Sequence, residues 1–520
     1  MNHFRNSSTA LHFGRPHLGA LRSAALRIVA PRSAALRFVA QRSAALRIVA
    51  RRSAALRHDA SVFPLRAAGL LVVAAAMLLT GAPAYSQDIS SGGQEGAATY
   101  SQKRTWSLQD CIAYALEHNI TLRQQNIQVL QQEVELSTAK GSRLPQLSAS
   151  LSENFSFGRG LTADNTYSNT NTTSTGLNIG ASVPVFQGLR INNSIRQGEL
   201  NLKAATADLE KARDQISVNV AQAYVNILYD LEILDVALNQ VSIDSLQLER
   251  LSAMAASGKA SPAQVAQQKA ALGQSRLSVT QARNNLSLAV LDLSQLLELP
   301  SPEGLEVVRP SEGIEDLLIG NPEEIYARAV AVKPSVSAEQ FRLDAAEYTI
   351  RNAKAAFLPT ISASGGIGTN YYTMSSAPSN SFFEQMKNNF SQFLGLSLSV
   401  PIFSGFQTRN QVRSAKLNRT YQELQLEQVK KSLYKEIQQA YYNAVAAREK
   451  YLSSKEASRS AKESYDLVMA KYENGKANIT EFNEARDNYL ESESNLVRSR
   501  YEYIFSAKLL DFYAGNPLAL

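Results

Sequence analysis

Val400-Pro401-Ile402-Phe403-Ser404-Gly405 ends an alternating apolar segment, and from Phe406 to Asn474 there is then neither glycine nor proline until Gly475. Val183-Pro184-Val185-Phe186-Gln187-Gly188 does the same in the first half of the chain, opening a run that ends at Gly258 and is interrupted only by Gly198. The two glycine pairs share an offset of 217 (188 to 405, 258 to 475). Stretches free of both helix breakers predict two rods of roughly 100 Å at 1.5 Å rise per residue. No single compact domain has room for such rods. Two of them in tandem predict a long hollow or bundled object.

Within the first rod Ile216, Val220, Ala223, Ile227, Leu231, Leu234, Leu238 and Val241 recur at steps of three or four, a coiled-coil-like stripe. In the second, Leu424, Leu433, Ile437, Tyr441, Val445 and Tyr451 are set among Lys, Glu and Gln. A narrow apolar stripe with a broad polar remainder suits helices packed side by side in one layer. Each rod then turns. After Gly258, Ser261-Pro262 offers an N-cap and an N1 proline for a returning helix to Leu299. After Gly475, Asn478 or Thr480 caps a helix to about Phe512. Both hairpin tips lie far from the segments that precede the rods.

Those preceding segments alternate. Leu147, Ala149, Leu151, Phe155 and Phe157 interleave with Ser148, Ser150, Ser152, Asn154 and Ser156, and Leu177, Ile179, Ala181, Val183 and Val185 form a partner set. Ile361, Ala363 and Ile367, then Leu394, Leu396, Leu398, Val400 and Ile402, repeat the pattern among Ser and Gly. Period-2 stretches of about ten residues fit tilted strands crossing a bilayer. Their wet side carries Ser, Asn and Gly rather than Lys and Glu, and Phe155, Phe157, Phe186, Phe393 and Phe403 sit towards the segment ends, as interfacial aromatics do. Residues 158–174 and 370–389 are predicted as long polar loops. Four strands cannot close a barrel, and an open edge in lipid leaves backbone groups unpaired at several kcal/mol each. Several chains must therefore share one barrel; three would supply twelve strands.

The second half repeats the first. Leu116-Glu117-His118-Asn119 matches Val330-Ala331-Val332-Lys333, and Leu144-Pro145 matches Leu358-Pro359, both offset by 214 (116 to 330, 144 to 358). Each repeat reads helix, strand, loop, strand, long helix, turn, helix. The first helix starts near Ser107 and runs towards Lys140; its counterpart starts after Asn321-Pro322 and runs to about Ala355. The expected organisation is a leader with signal peptide (1–84), a spacer (85–104), a first repeat (105–300), a linker (301–320) with a short strand at Glu306-Val307-Val308, a second repeat (321–513) and a tail (514–520).

The net charge of +7 is misleading. Taking the 12 arginines and one aspartate of residues 1–66 from the 53 basic and 46 acidic residues leaves 41 against 45, which removes the main argument for a nucleic-acid partner. Residues 22–60 repeat Arg-Ser-Ala-Ala-Leu-Arg every ten residues, a period of no solenoid; a low-complexity extension or a misassigned start fits them better than a basic anchor. Arg66, the apolar run Ala67 to Thr80 and Ala82-Pro83-Ala84 (or Ala84-Tyr85-Ser86) form an export signal, too short to span a bilayer. Four of the five histidines fall in the leader, leaving His118, and Cys111 is the single cysteine, expected as a small buried residue. No metal site, disulfide framework or catalytic constellation follows from that set, and no cofactor is expected.

Taken together, the two-fold repeat, the strand-end motif Pro-(Val/Ile)-Phe-x-Gly at Pro184 to Gly188 and Pro401 to Gly405, and the tip glycines followed by returning helices resemble the TolC-type outer-membrane efflux duct family over about Thr105 to Tyr513. The resemblance implies a mainly helical chain with membrane strands. It further implies a homotrimer whose twelve-stranded barrel sits in outer-membrane lipid and continues into a periplasmic helical tube. The linker and chain ends would form a belt around that tube. Implied partners are a periplasmic adaptor and an inner-membrane pump, and the implied cargo is drugs, metals, signalling molecules or secreted polypeptides. The family's entrance acids, six and nine residues past the second tip glycine, correspond to Glu481 and Glu484. Its tyrosine three before that glycine is kept as Tyr472, but its aspartate six past the first tip glycine is Gln264 and its arginine is Ala477, so the usual charged links at the entrance are missing. Two readings from other classes stand beside this one: a self-sufficient outer-membrane porin and a non-transporting periplasmic coiled-coil scaffold.

Overall fold

A computed structural model describes residues 104–161, 165–309, 319–375 and 378–518. The expected leader, export signal and most of the spacer lie outside the described residues, as do 310–318 of the linker. Strand β1 (Arg104–Trp106) leads into helices α1 (Leu108–His118) and α2 (Ile120–Gly141), strands β2 (Gln146–Leu161) and β3 (Tyr167–Gln187), then α3 (Arg190–Ala256) and α4 (Pro262–Leu296). After β4 (Leu305–Val307) the order recurs: α5 (Pro322–Val332), α6 (Pro334–Ala355), β5 (Thr360–Met374), a short α7 (Phe382–Asn388), β6 (Ser391–Ser399), α8 (Gln407–Glu473) and α9 (Ile479–Tyr513).

The two rods are continuous helices of 67 residues each. They lie in one layer. Nearer the strands the neighbours run α2, α3, α6, α8; nearer the tips they run α4, α3, α9, α8. The short helices make up the layer by stacking end to end. The side-chain amide of Asn119, at the start of α2, donates to Leu296 O at the end of α4 (3.1 Å), and Ile120 N donates to Glu298 Oε1 (3.3 Å). At the other such joint Lys333 Nζ lies 3.8 Å from the Phe512 ring centroid and 3.0 Å from Asp214 Oδ2. At Gly198, the one break in composition of the first rod, α2 packs close: a β-carbon there would stand 3.2 Å from Leu136 Cδ1.

Two expectations about helices are corrected. The segments from Ser107 towards Lys140 and from Asn321 to Ala355 are not single helices. Each breaks after one short piece, at Asn119 (ψ 129°) and Lys333 (ψ 127°). Pro334 drives its preceding residue out of the helical region. Asn119 caps the new helix, its Oδ1 accepting from Thr121 N (2.9 Å).

The four long strands form one antiparallel sheet in the order β2-β3-β5-β6, with β2 and β6 as edges that pair with no other strand among the described residues. The strands are longer than the ten residues expected: β2 has 16 residues, β3 has 21 and β5 has 15, while β6 has 9. The predicted loops shrink accordingly. Gly158–Leu161 pairs with Ser168–Thr170 and Tyr167, and the second loop gives its start to β5 and part of its length to α7. Register carries Leu147, Ala181, Gly365 and Leu394 across one face and Ser148, Gly180, Gly366 and Phe393 across the other. Phe393 therefore belongs to the small polar face and not with the other aromatics. A bulge between Pro184 and Phe186 pairs Pro184 with Ser362 and Phe186 with Ile361, so Phe186 replaces Val185 on the apolar face. Proline, lacking an N–H, is tolerated at such a bulge. Among the described residues nothing packs on the apolar face: Leu394 is 90% and Leu147 76% exposed.

Around the middle of the rods a conventional core forms. The parallel pair β1–β4 is tied to α3 by the Tyr224 hydroxyl, which donates to Val308 O (2.7 Å) and lies 3.1 Å from Trp106 O. Val220, Ile227, Leu228, Leu293 and Leu297 are nearly or fully buried there. Each such side chain contributes about 1.5–3 kcal/mol. Cys111 is buried in the same cluster, and burial pushes its thiol up to about 12.

Candidate functional site

The tips of the two hairpins are built alike. At Gly258 (φ 73°) Lys259 N donates back to Met254 O (2.8 Å); at Gly475 (φ 72°) Lys476 N donates to Lys471 O (2.8 Å). This is the six-to-one closure that a left-handed residue allows, and an added β-carbon would meet nothing at either glycine. The turn conformation alone therefore asks for glycine. The returning helices are capped differently. Ser261 and Gln264 form a capping box, with Gln264 N donating to Ser261 Oγ (3.3 Å) and Ser261 N to Gln264 Oε1 (2.9 Å). Asn478, rather than Thr480, caps α9: its Oδ1 accepts from Thr480 N and Glu481 N, both at 2.9 Å, and its Nδ2 donates to Glu481 Oε1 at 2.9 Å.

These caps fix what the predicted site residues do within one chain. Gln264 is engaged in its own helix start and Glu481 in the Asn478 cap. Glu484 stands exposed one turn further on. Tyr472 stacks on Phe482, ring centroids 5.0 Å apart at 20°. No hydrogen bond among the described residues joins Tyr472 to Gln264. Burial pushes the Tyr472 phenol up, opposed by the Arg250 guanidinium. The tips of the two rods are joined instead by an ion pair the sequence reading missed, Arg250 Nη1 to Glu473 Oε1 at 2.8 Å. Beneath it Leu251, Tyr465, Ile479 and Phe482 make a small apolar core.

One layer deeper lies a buried charge network, also missed. Asp244 of α3 has no exposed surface, and Arg486 of α9 donates to its Oδ1 through Nη1 (2.8 Å). Gln268 Nε2 of α4 donates to the same oxygen (3.2 Å), and Ser275 Oγ, also of α4, donates to Oδ2. Arg486 also holds Asp487 (2.8 Å). Three helices from both hairpins thus meet on one carboxylate. The signal was present: continuing the apolar stripe by three from Val241 lands on Asp244, an acid where the pattern demands burial.

The strand-to-helix junctions at the other end of the rods are matched too. Gly188 (φ 60°) and Leu189 (φ 66°) are both left-handed, as are Gly405 (φ 58°) and Phe406 (φ 65°). Two consecutive residues of this kind turn the chain from sheet into rod, with Pro184 and Phe186 in the bulge just before the first. Pro401 and Phe403 follow the end of β6, where Phe403 is exposed and meets Phe406 edge-on at 5.7 Å.

An open sheet with a bare apolar face, feeding a layer of 67-residue helices with closed tips, is the build of an outer-membrane channel protein. Residues 111–298 and 325–516 match the family described as outer membrane efflux protein, and the chain belongs to that family. It is an outer-membrane protein. Among its relatives, outer membrane protein TolC of Escherichia coli K12 is 28% identical over 384 residues, covering 72% of this chain and 74% of that one. Outer membrane protein OprJ of Pseudomonas aeruginosa is 24% identical over 73% of this chain and 78% of its own length. Cation efflux system protein CusC of Escherichia coli K12 is 24% identical over 74% and 86%. Among solved structures, the Campylobacter jejuni CmeC outer membrane channel shares the fold with a TM-score of 0.66 at 20% identity, covering 82% of this chain and 92% of that one. VceC of Vibrio cholerae does so with 0.65 at 18%, covering 79% and 97%.

Proposed function

We propose that three copies of this chain close their four-stranded sheets into one twelve-stranded barrel in the outer membrane, and that their helical layers roll into a tube projecting into the periplasm. The assembly is a passive exit duct, not an enzyme. An inner-membrane pump and a periplasmic adaptor deliver cargo to the hairpin tips. The observation that carries this reading is the free-edged sheet with its exposed apolar face. Edges paired only with water or lipid leave a row of unmade hydrogen bonds, and the apolar row from Leu147 to Leu394 is stable only against lipid tails. The single helical layer supports the same reading, since it has two wet faces and needs neighbours at its sides.

At the tips, Glu481 and Glu484 of three chains would bring six carboxylates around one opening, where cations collect. The entrance would be held within each chain by the Arg250–Glu473 pair and the Asp244–Arg486 network in place of the links that Gln264 and Ala477 cannot make. The boundaries at residues 105, 300, 321 and 513 are taken as the limits of the two repeats, with 301–320 and the chain ends in a belt. Purified protein in planar bilayers tests the entrance. Glu481→Ala with Glu484→Ala should weaken divalent-cation block of the current by about tenfold, the loss of roughly 1.4 kcal/mol of attraction. Unchanged conductance and block would remove both residues from the opening. High conductance of the wild-type protein with no partner present would instead favour a porin.

A further inference from the structure

One row of paired positions crosses the whole sheet on its small polar face: Ser148, Gly180, Gly366, Phe393. Phe393 is a large apolar ring on a face where its neighbours are Ser364, Gly395 and Ser397. Its position is fixed by the glycine opposite. A β-carbon added to Gly366 would stand 2.7 Å from Ile179 O, 2.8 Å from Phe393 Cε1 and 3.1 Å from Cζ, so the ring and the neighbouring strand together occupy the space a side chain would take. At Gly180, the next position in the row, an added β-carbon would meet only Gly365 O, at 3.9 Å. The floor there is open. Ser148, Gly180, Ser182, Ser364 and Phe393 border a hollow of about 610 Å³. Phe393 is 59% exposed and forms part of that hollow's border.

We infer that Phe393 and this hollow form a contact station for passing solutes on the bore wall, selective for flat aromatic molecules that also carry polar groups. The inference rests on the duct reading, because only in the closed barrel does the small polar face line a bore. A planar ring laid over the glycine floor gains offset or edge contact with Phe393. The hydroxyls of Ser148, Ser182 and Ser364 meet its polar substituents without the desolvation cost of an apolar pocket. Three copies would set three such stations at one height.

The test uses the full-length protein in planar bilayers, with probe added on the barrel side. N-methylquinolinium is flat, aromatic and singly charged; N,N-dimethylpiperidinium carries the same charge without an aromatic ring. The expected result is that Phe393→Ala shortens N-methylquinolinium blocking events about threefold to tenfold. Phe393→Leu, which keeps bulk, should do nearly the same. Dimethylpiperidinium events should change less than twofold in either variant. Phe393 is exposed, so neither variant threatens folding. A conducting channel whose N-methylquinolinium events are unaltered by both substitutions overturns the station and leaves the duct standing. Equal loss for both probes overturns the aromatic selectivity. A protein that stays a single polypeptide in detergent, and so can form no channel, overturns both readings.

Discussion

Gly188 and Gly405 occupy equivalent left-handed turns with different surroundings. At Gly405 a β-carbon would meet nothing, whereas at Gly188 it would lie 2.8 Å from Ala355 O and 2.9 Å from Leu358 Cβ. Gly405→Ala should therefore cost about 1–2 kcal/mol, the left-handed penalty alone, and Gly188→Ala about 2–4 kcal/mol, with overpacking added. Denaturant melts of the two variants check the order; equal losses would show that the close approach to α6 is relaxed without cost. Cys111 gives a second residue-scale expectation. Its thiol is neutral in the fold, so maleimide should label it only after unfolding. Its folded value lies above the unfolded 9.0, so the stability it contributes is full below pH 9 and is lost as pH rises towards about 12. Burial of Cys111 was legible from its amphipathic surroundings. The break at Asn119 was not. Its partner Lys333 precedes a proline, but Asn119 carries no such mark, and only its match to Lys333 across the repeat pointed to it.

The buried network joins elements rather than residues, since Asp244, Arg486, Gln268 and Ser275 come from α3, α9 and α4. Arg486→Ala leaves a fully buried carboxylate without its counter-charge and should cost about 3–5 kcal/mol. Adding Asp244→Ala to that variant should return part of the loss. A double-mutant cycle by urea unfolding reads the coupling; simple additivity would mean that the two groups do not act as a pair. Elements were legible where their pattern was strong. The two rods, proline-free and interrupted only by Gly198, emerge within two residues of their expected ends, and the turns at the tips follow from Gly258 and Gly475. Strand length was hidden. The outer half of β3 carries Asn, Thr and Ser on both faces from Thr170 to Ser174, and its partner β2 ends in Gly158-Arg159-Gly160-Leu161, so the period of two vanishes there and polar strand reads as loop. Phe393 was hidden for the same reason: an aromatic at a segment end looks interfacial until the register fixes its face.

At the scale of the molecule, the family, the outer-membrane location and the antiparallel sheet agree with the sequence reading, because a duplicated pattern several hundred residues long outweighs any local ambiguity. The closure of the charged links at the tips did not follow from sequence, since Arg250–Glu473 and Asp244–Arg486 pair residues more than two hundred positions apart. The central claim is that one chain supplies a third of a wall. It is tested most directly by the mass of the purified protein in mild detergent, by analytical ultracentrifugation or native mass spectrometry. The account predicts a single species of three polypeptides whose infrared spectrum carries tilted antiparallel strands alongside helix. A species of one polypeptide that keeps its full helical content would contradict it.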